Sequence, residues 1–156
     1  MSKAIAERLR EMGLQLPPAP AALANYVPYV LADNVLYVSG QISKAADGNV
    51  ITGQLGAGLS VEQGQAAARL SALNILAQAA AALGSLDRIA RIARLNGFAN
   101  AAPGFTDHPK VMNGASDLMV DVLGDKGRHT RAALGSSSLP AGAATEIDAI
   151  IIVEPA

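Results

Sequence analysis

Two charged residues stand out by the company they keep. Arg131 and Glu146 lie in C-terminal segments whose other members are mostly alanine, leucine and isoleucine. An unpaired charge does not belong among apolar neighbours, so each must be exposed at a strand edge, pair locally, or serve a ligand. Local pairing can be tested by register. Residues 131–138 and 144–153 read as strands flanking Leu139-Pro140-Ala141-Gly142, a turn by composition. If they close as a hairpin on that turn, Glu146 faces Gly135 and Arg131 faces Ile150. The charges then sit about four residues, or roughly 13 Å, apart along the ribbon. They would meet only across a subunit interface, or by reaching one ligand from opposite sides. The planar fork of arginine suits a carboxylate.

Other candidates carry less. Gly53, Gly56 and Gly58 precede a helix start at Ser60, where a phosphate could bind. Their order is G-x-x-G-x-G, without G-K-S/T and without an acidic partner at dinucleotide-binding spacing, so they read as a flexible connection. His108 and His129 show no ligand spacing and there is no cysteine, so no metal site is signalled. His129 would share a strand face with Arg131, either lining a site or lying on the surface. Ser136, Ser137 and Ser138 lack a nucleophile elbow, and Ser39 lacks an adjacent base.

The balance of 12 basic against 13 acidic residues gives no broad basic footprint. The tightest basic group is Arg88, Arg91 and Arg94. On a regular strand Arg88 and Arg94 share a face and Arg91 points away, which reads as a solvated edge and not a nucleic-acid patch. Aromatic residues are 3% of the chain and tryptophan is absent, so stacking platforms are scarce. The absence of cysteine excludes disulfides and fits a reducing compartment. Charges interrupt the N-terminus too early for a signal peptide, and Leu70 to Leu83 is too short and too polar at Asn74 and Gln78 to span a bilayer. A soluble, cytoplasmic protein is expected.

The elements that must position these residues follow from periodicity. The length of 156 residues suits one domain, preceded by an appendage over residues 1–20. That appendage is a short helix over 3–12, with Ile5, Leu9 and Met12 on one side, followed by the extended Pro17-Pro18-Ala19-Pro20. Residues 21–156 carry the domain. Tyr26 to Ile42 reads as two strands broken at Asp33-Asn34, and Val50 to Thr52 is a short extended piece. A long helix begins at the Ser60/Gln63 capping box and ends at Gly84, with an apolar stripe of Ala66, Leu70, Leu73, Ala77, Ala80 and Leu83. Ile89 to Phe98 is a strand. Pro109 opens a second helix with Val111, Ala115, Leu118 and Val122 buried, and Gly124 ends it. The order predicts an α+β fold with both main helices on one face of a mixed sheet. The last strand is apolar at Ile150-Ile151-Ile152-Val153, so its other face also needs cover, and a second copy of the chain is the expected source.

Val38-Ser39-Gly40-Gln41-Ile42 resembles the V-S-G-Q-I segment of the Rid (RidA/YjgF) family. Arg131 through Leu139-Pro140 to Glu146-Ile147 resembles its R-x7-LP-x5-E-I pattern without a gap. The likeness covers about residues 25–153. It implies a chorismate-mutase-like fold, related to the ferredoxin-like one, assembled as a homotrimer with clefts between subunits. Characterised members hydrolyse enamines and imines such as 2-aminoacrylate and 2-iminopropanoate to 2-oxo acids and ammonia, without a cofactor. By position, Arg131 would clamp the substrate carboxylate and Glu146 would hold or activate the attacking water. Ser39 and the Gly40 backbone would line the pocket. Tyr26, with Tyr29 as competitor, falls near the family's pocket tyrosine, and Asn113 near its pocket asparagine. Ala133 replaces a cysteine common at that position, and the N-terminal helix exceeds the usual short form; both mark a divergent branch. A non-catalytic carboxylate-binding role in the same cleft is the alternative. The family's label of L-PSP endoribonuclease finds little support in the acidic charge balance, and neither nucleic acid nor membrane is expected as a partner.

Overall fold

The computed structural model describes residues 4–156. Its elements run α1 (Ile5–Glu11), β1 (Tyr29–Ala32), β2 (Val35–Ile42), β3 (Gln54–Leu55), β4 (Gly58–Leu59), α2 (Val61–Leu83), β5 (Ile89–Asn100), α3 (His108–Leu123), β6 (Thr130–Ser136) and β7 (Thr145–Val153). The order matches the periodicities; the expected helix start at Lys3 lies outside the described residues. Asp33 makes the β1–β2 turn in the left-handed region, at φ 52°, a conformation a short acidic side chain tolerates. The capping box at α2 forms as read: the Ser60 hydroxyl accepts the Gln63 N–H at 3.1 Å, and Gln63 Oε1 accepts the Ser60 N–H at 2.8 Å.

Five strands form one mixed sheet in the order β1-β2-β7-β5-β6. Within this sheet, among the described residues, only β5 and β6 are parallel neighbours; β3 and β4 pair in parallel as a separate ribbon. Along β7, Thr145, Ile147, Ala149, Ile151 and Val153 are buried beneath the helices, while Glu146, Asp148, Ile150 and Ile152 face the other way, half-exposed. That alternation is the period of two expected of a strand with one covered face. The uncovered face also carries exposed Val30, Tyr37 and Leu134.

Four sequence expectations need correction. First, β6 and β7 do not pair as a hairpin. β5 lies between them, level with β6 through Leu95↔Arg131 and with β7 through Phe98↔Glu146. The Leu139–Gly142 turn therefore steps over the end of β5 instead of joining adjacent strands. Second, Arg91 and Arg94 share the uncovered face, level with Ile152 and Ile150. Register irregularities between Ile89 and Arg91 and between Ile92 and Arg94 each add a residue, which resets side-chain parity. Their strand is interior, and Arg88 lies before it in a 3-10 turn. Third, the glycine-rich connection is ordered. Gly53, Gly56 and Gly58 all take positive φ, as only glycine does cheaply, and let Leu55 reach the core while its carbonyl accepts the Ala102 N–H at 3.0 Å.

Fourth, the expected stripe describes α2 poorly. Ala66 is exposed, Leu70 and Ala80 are half-buried, and Ser71 through Ala79 are buried without a break. The helix has a second covered side. Gln78 Nε2 donates to the Pro20 carbonyl at 2.6 Å, and Asn74 Nδ2 to the carbonyls of Lys44 and Ile42 at 2.8 and 3.3 Å. These buried amides satisfy backbone carbonyls of the non-helical segments crossing over them. The N-terminal appendage is thus part of the core: Ile5 and Leu9 are buried in it, and the Arg8 guanidinium donates to the Val122 carbonyl at 3.1 Å.

Candidate functional site

Arg131 leaves the sheet on the helix side, because it is level with Leu95 and that residue is level with buried Ala149. Glu146 leaves on the uncovered side. The two Cα atoms are separated by two strand spacings and three residues, roughly 14 Å, with the sheet between their side chains. One chain therefore holds two separate candidate half-sites.

The first is built by α3 against β6. A Cβ on Gly97 would collide with Met112, so its absence lets α3 approach the sheet closely. Asn113 and Ser116, one turn apart on α3, then both reach Arg131: its Nη1 donates to Asn113 Oδ1 at 2.9 Å and to Ser116 Oγ at 3.1 Å. Behind Ser116 stands His129, with Nε2 at 2.9 Å from the hydroxyl and Nδ1 at 2.6 Å from the Gly127 carbonyl. A carbonyl only accepts, so Nδ1 carries the proton. Burial lowers the His129 pKa, the Gly127 bond opposes this, and the Arg131 charge adds to the lowering. A neutral ring accepts the Ser116 proton at Nε2, leaving the serine oxygen free to accept from Arg131. The guanidinium is held entirely by neutral groups and faces a shallow hollow of about 280 Å³ shared with Asp117, Val120 and Arg128.

The second half-site is built by a register shift in β2. Between Val38 and Gln41 the β2–β7 pairing slips, bringing Gly40 over Glu146, where a Cβ would lie 2.5 Å from Oε1. The backbone at Gly40 thus forms one wall around the carboxylate. The Ser39 hydroxyl donates to the Val27 carbonyl at 2.8 Å and its N–H to the Pro28 carbonyl at 2.9 Å, so Ser39 ties the chain before β1 to this wall. Burial raises the Glu146 pKa, and the like charge of Asp148 raises it further. Asp148 accepts from Asn96 Nδ2 at 2.7 Å, and Asn96 accepts from Arg94 Nε at 2.8 Å, a chain lying on the same sheet face. Among the described residues no cation pairs with Glu146 and no carboxylate with Arg131.

Glu146, Gly40 and Tyr26 border two cavities, of about 490 and 370 Å³. Tyr29 borders only the larger; level with buried Val38, it packs against the core, while Tyr26 is 54% exposed. Ala133 lies beside Gly97 on the helix face, half-buried, two residues from Arg131. Asn113 is brought to Arg131, and Ser39, Gly40 and Tyr26 to Glu146; the two groups are not brought together. Ser116 and Asp148 escaped the sequence reading, although each had a signal: Ser116 follows Asn113 at helical i,i+3 spacing, and Asp148 follows Glu146 at the strand's period of two.

Residues 6–147 match the family model of YjgF/chorismate-mutase-like endoribonucleases. The chain belongs to this family. Protein TCP17 of Trypanosoma cruzi is 50% identical over 148 residues, covering 94% of this chain and 92% of its own. The crystal structure of Atu1372, a protein of unknown function from Agrobacterium tumefaciens, superposes with a TM-score of 0.89 at 47% identity, covering 97% of this chain and 94% of the other. RidA from an Antarctic Psychrobacter superposes at 0.63 with 26% identity, covering 89% of this chain and 97% of that one. The Rid-type mixed α+β fold is therefore shown, with relatives of the longer type nearer than RidA itself.

Proposed function

We propose that this Rid-family chain is a cofactor-free deaminase of small enamine and imine acids, acting where the Arg131 half of one copy meets the Glu146 half of another. The carrying observation is the pair of uncompensated, opposite charges on opposite sides of one sheet. A bound 2-imino acid satisfies both: its carboxylate takes the Arg131 fork, and its electrophilic carbon stands over Glu146. A closed homotrimer in the cytoplasm, as the Rid likeness implies, brings each half to its complement and covers the exposed apolar sheet face.

The chemistry asks little. Water adds to the C=N carbon while Glu146 takes its proton; the nitrogen gains a proton, and the resulting carbinolamine expels ammonia to leave the 2-oxo acid. An enamine such as 2-aminoacrylate first takes a proton on its methylene carbon to become the imine. A carboxylate of raised pKa is a better base than an ordinary one at neutral pH. Orientation by Arg131 supplies much of the remaining advantage.

The test generates 2-aminoacrylate in situ and follows ammonia release. Wild type accelerates it and Arg131→Ala does not; absence of acceleration by wild-type protein at micromolar concentration rejects the proposal. Stabilisation by 2-oxo acids without turnover would favour the alternative, non-catalytic carboxylate binding in the same cleft.

A further inference from the structure

The smaller of the two cavities at Glu146 has no role in the reaction above, since 2-aminoacrylate carries a single methylene carbon. We infer that residues 20–28 wall a side-chain pocket that makes imine acids with branched or aromatic apolar side chains the preferred substrates. The inference rests on the deaminase reading and narrows it.

Three observations carry it. The cavity, about 370 Å³, begins at the catalytic carboxylate: Glu146, Gly40 and Tyr26 border both chambers, so a carbon held over Glu146 can direct its substituent into the second one. Such a volume lies within the ordinary range for small-molecule pockets, about 300–1,000 Å³. Most of its lining is apolar, with Ala22, Leu23, Pro28, Ile42 and Pro140 among its members, beside the polar Gln41, Lys44 and Asn74. Leu23 is 95% exposed, so it offers apolar surface that nothing in its own chain covers.

The wall is also anchored at both ends. Gln78, buried in α2, donates to the Pro20 carbonyl at 2.6 Å, and Ser39 donates through its hydroxyl to Val27 and through its N–H to Pro28. The segment between is suspended over the cavity from two points, one in the core and one beside Gly40.

The experiment compares imine acids generated in situ from alanine, leucine, methionine and phenylalanine by an L-amino-acid oxidase, with 2-oxo acid formation as readout. Burial of each added methylene is worth about fourfold, so the leucine-derived imine, with three more carbons, should exceed the alanine-derived one by about tenfold if half buried and up to about sixtyfold if fully buried, and the phenylalanine-derived one by at least as much in kcat/KM. Leu23→Asp should collapse that ratio, and Ala22→Trp, which fills the chamber, should invert it. Equal use of all four imines, or a ratio untouched by both variants, overturns the pocket while leaving the deaminase reading intact. If no imine is hydrolysed, the deaminase reading fails, and calorimetric binding of pyruvate, 4-methyl-2-oxopentanoate and phenylpyruvate decides the pocket alone. Tighter binding of the larger acids, lost in Leu23→Asp, upholds it; equal binding by all three, or by none, removes it.

Discussion

On the α3 side of the sheet, Arg131 is held in place by neutral groups; on the uncovered side, Glu146 is crowded and, among the described residues, meets no cation. The guanidinium has two neutral acceptors and a neutral histidine behind them, so its direction is set in advance while its charge is uncompensated. The carboxylate is disfavoured in its ionised form by burial, with the Gly40 backbone close against it, and then by the like charge of Asp148. In the proposed reaction one half binds an anion and the other takes a proton. Their difference teaches that the two halves offer complementary chemistry, and that the sheet keeps them from neutralising each other within a chain.

The sharpest way to break this comparison is complementation. Arg131→Ala and Glu146→Gln should each lower kcat/KM by at least about a hundredfold. Mixed and reassembled as trimers in equal amounts, they should regain about a quarter of wild-type activity, because a cleft pairing Arg131 of one copy with Glu146 of another is rebuilt in every hybrid. No recovery would show that both charges serve within one chain. Next in size is Gly40→Ala, whose methyl group displaces the Glu146 carboxylate; kcat should fall on the order of tenfold or more, with KM little changed. Ser116→Ala removes one of two acceptors from Arg131 and should raise KM roughly two- to tenfold. A shift in kcat alone would mean that Ser116 does not orient the clamp.

The smallest effect concerns stability and pH. The folded-state pKa of Glu146 lies above its unfolded value, so the protonated form is favoured by folding. Its stabilisation is present at low pH and lost as pH rises through the folded-state pKa. Glu146→Gln should therefore melt slightly higher than wild type at pH 8, and the difference should shrink as pH falls. His129 runs the other way: its folded-state pKa is lowered, so its contribution is present above the ordinary histidine value and lost as pH falls through the folded-state pKa. His129→Gln should flatten stability on that acid side. Thermal unfolding between pH 4 and 8 reads both.

Much of this was legible in local pattern. Strand alternation, the capping box and the proline and glycine stops located every main element, and charge among apolar neighbours singled out Arg131 and Glu146. Sheet order was not legible, because β5 enters between β6 and β7 through contacts distant in sequence, and adjacency along the chain suggested a hairpin. The arginine faces failed for a local reason: an extra residue at each register shift reverses parity, and nothing in Ile89–Arg94 announces it. The second covered side of α2 was hidden because its cover has no periodicity: Pro20 lies over Gln78 and the end of β2 over Asn74, polar residues whose type gives no hint of burial.

Gly97 has no functional group, yet the space it leaves empty sets how near α3 comes to β6. A saturation screen for activity would therefore show two kinds of intolerance. Arg131 would reject replacements for want of a guanidinium, and Gly97 would reject bulky ones, since they displace Met112 and with it the seat of α3 that carries Asn113 and Ser116. Conserving the chemistry of this branch thus means conserving a void as strictly as a charge, and any redesign of the clamp has to begin beneath the helix and not at its tip.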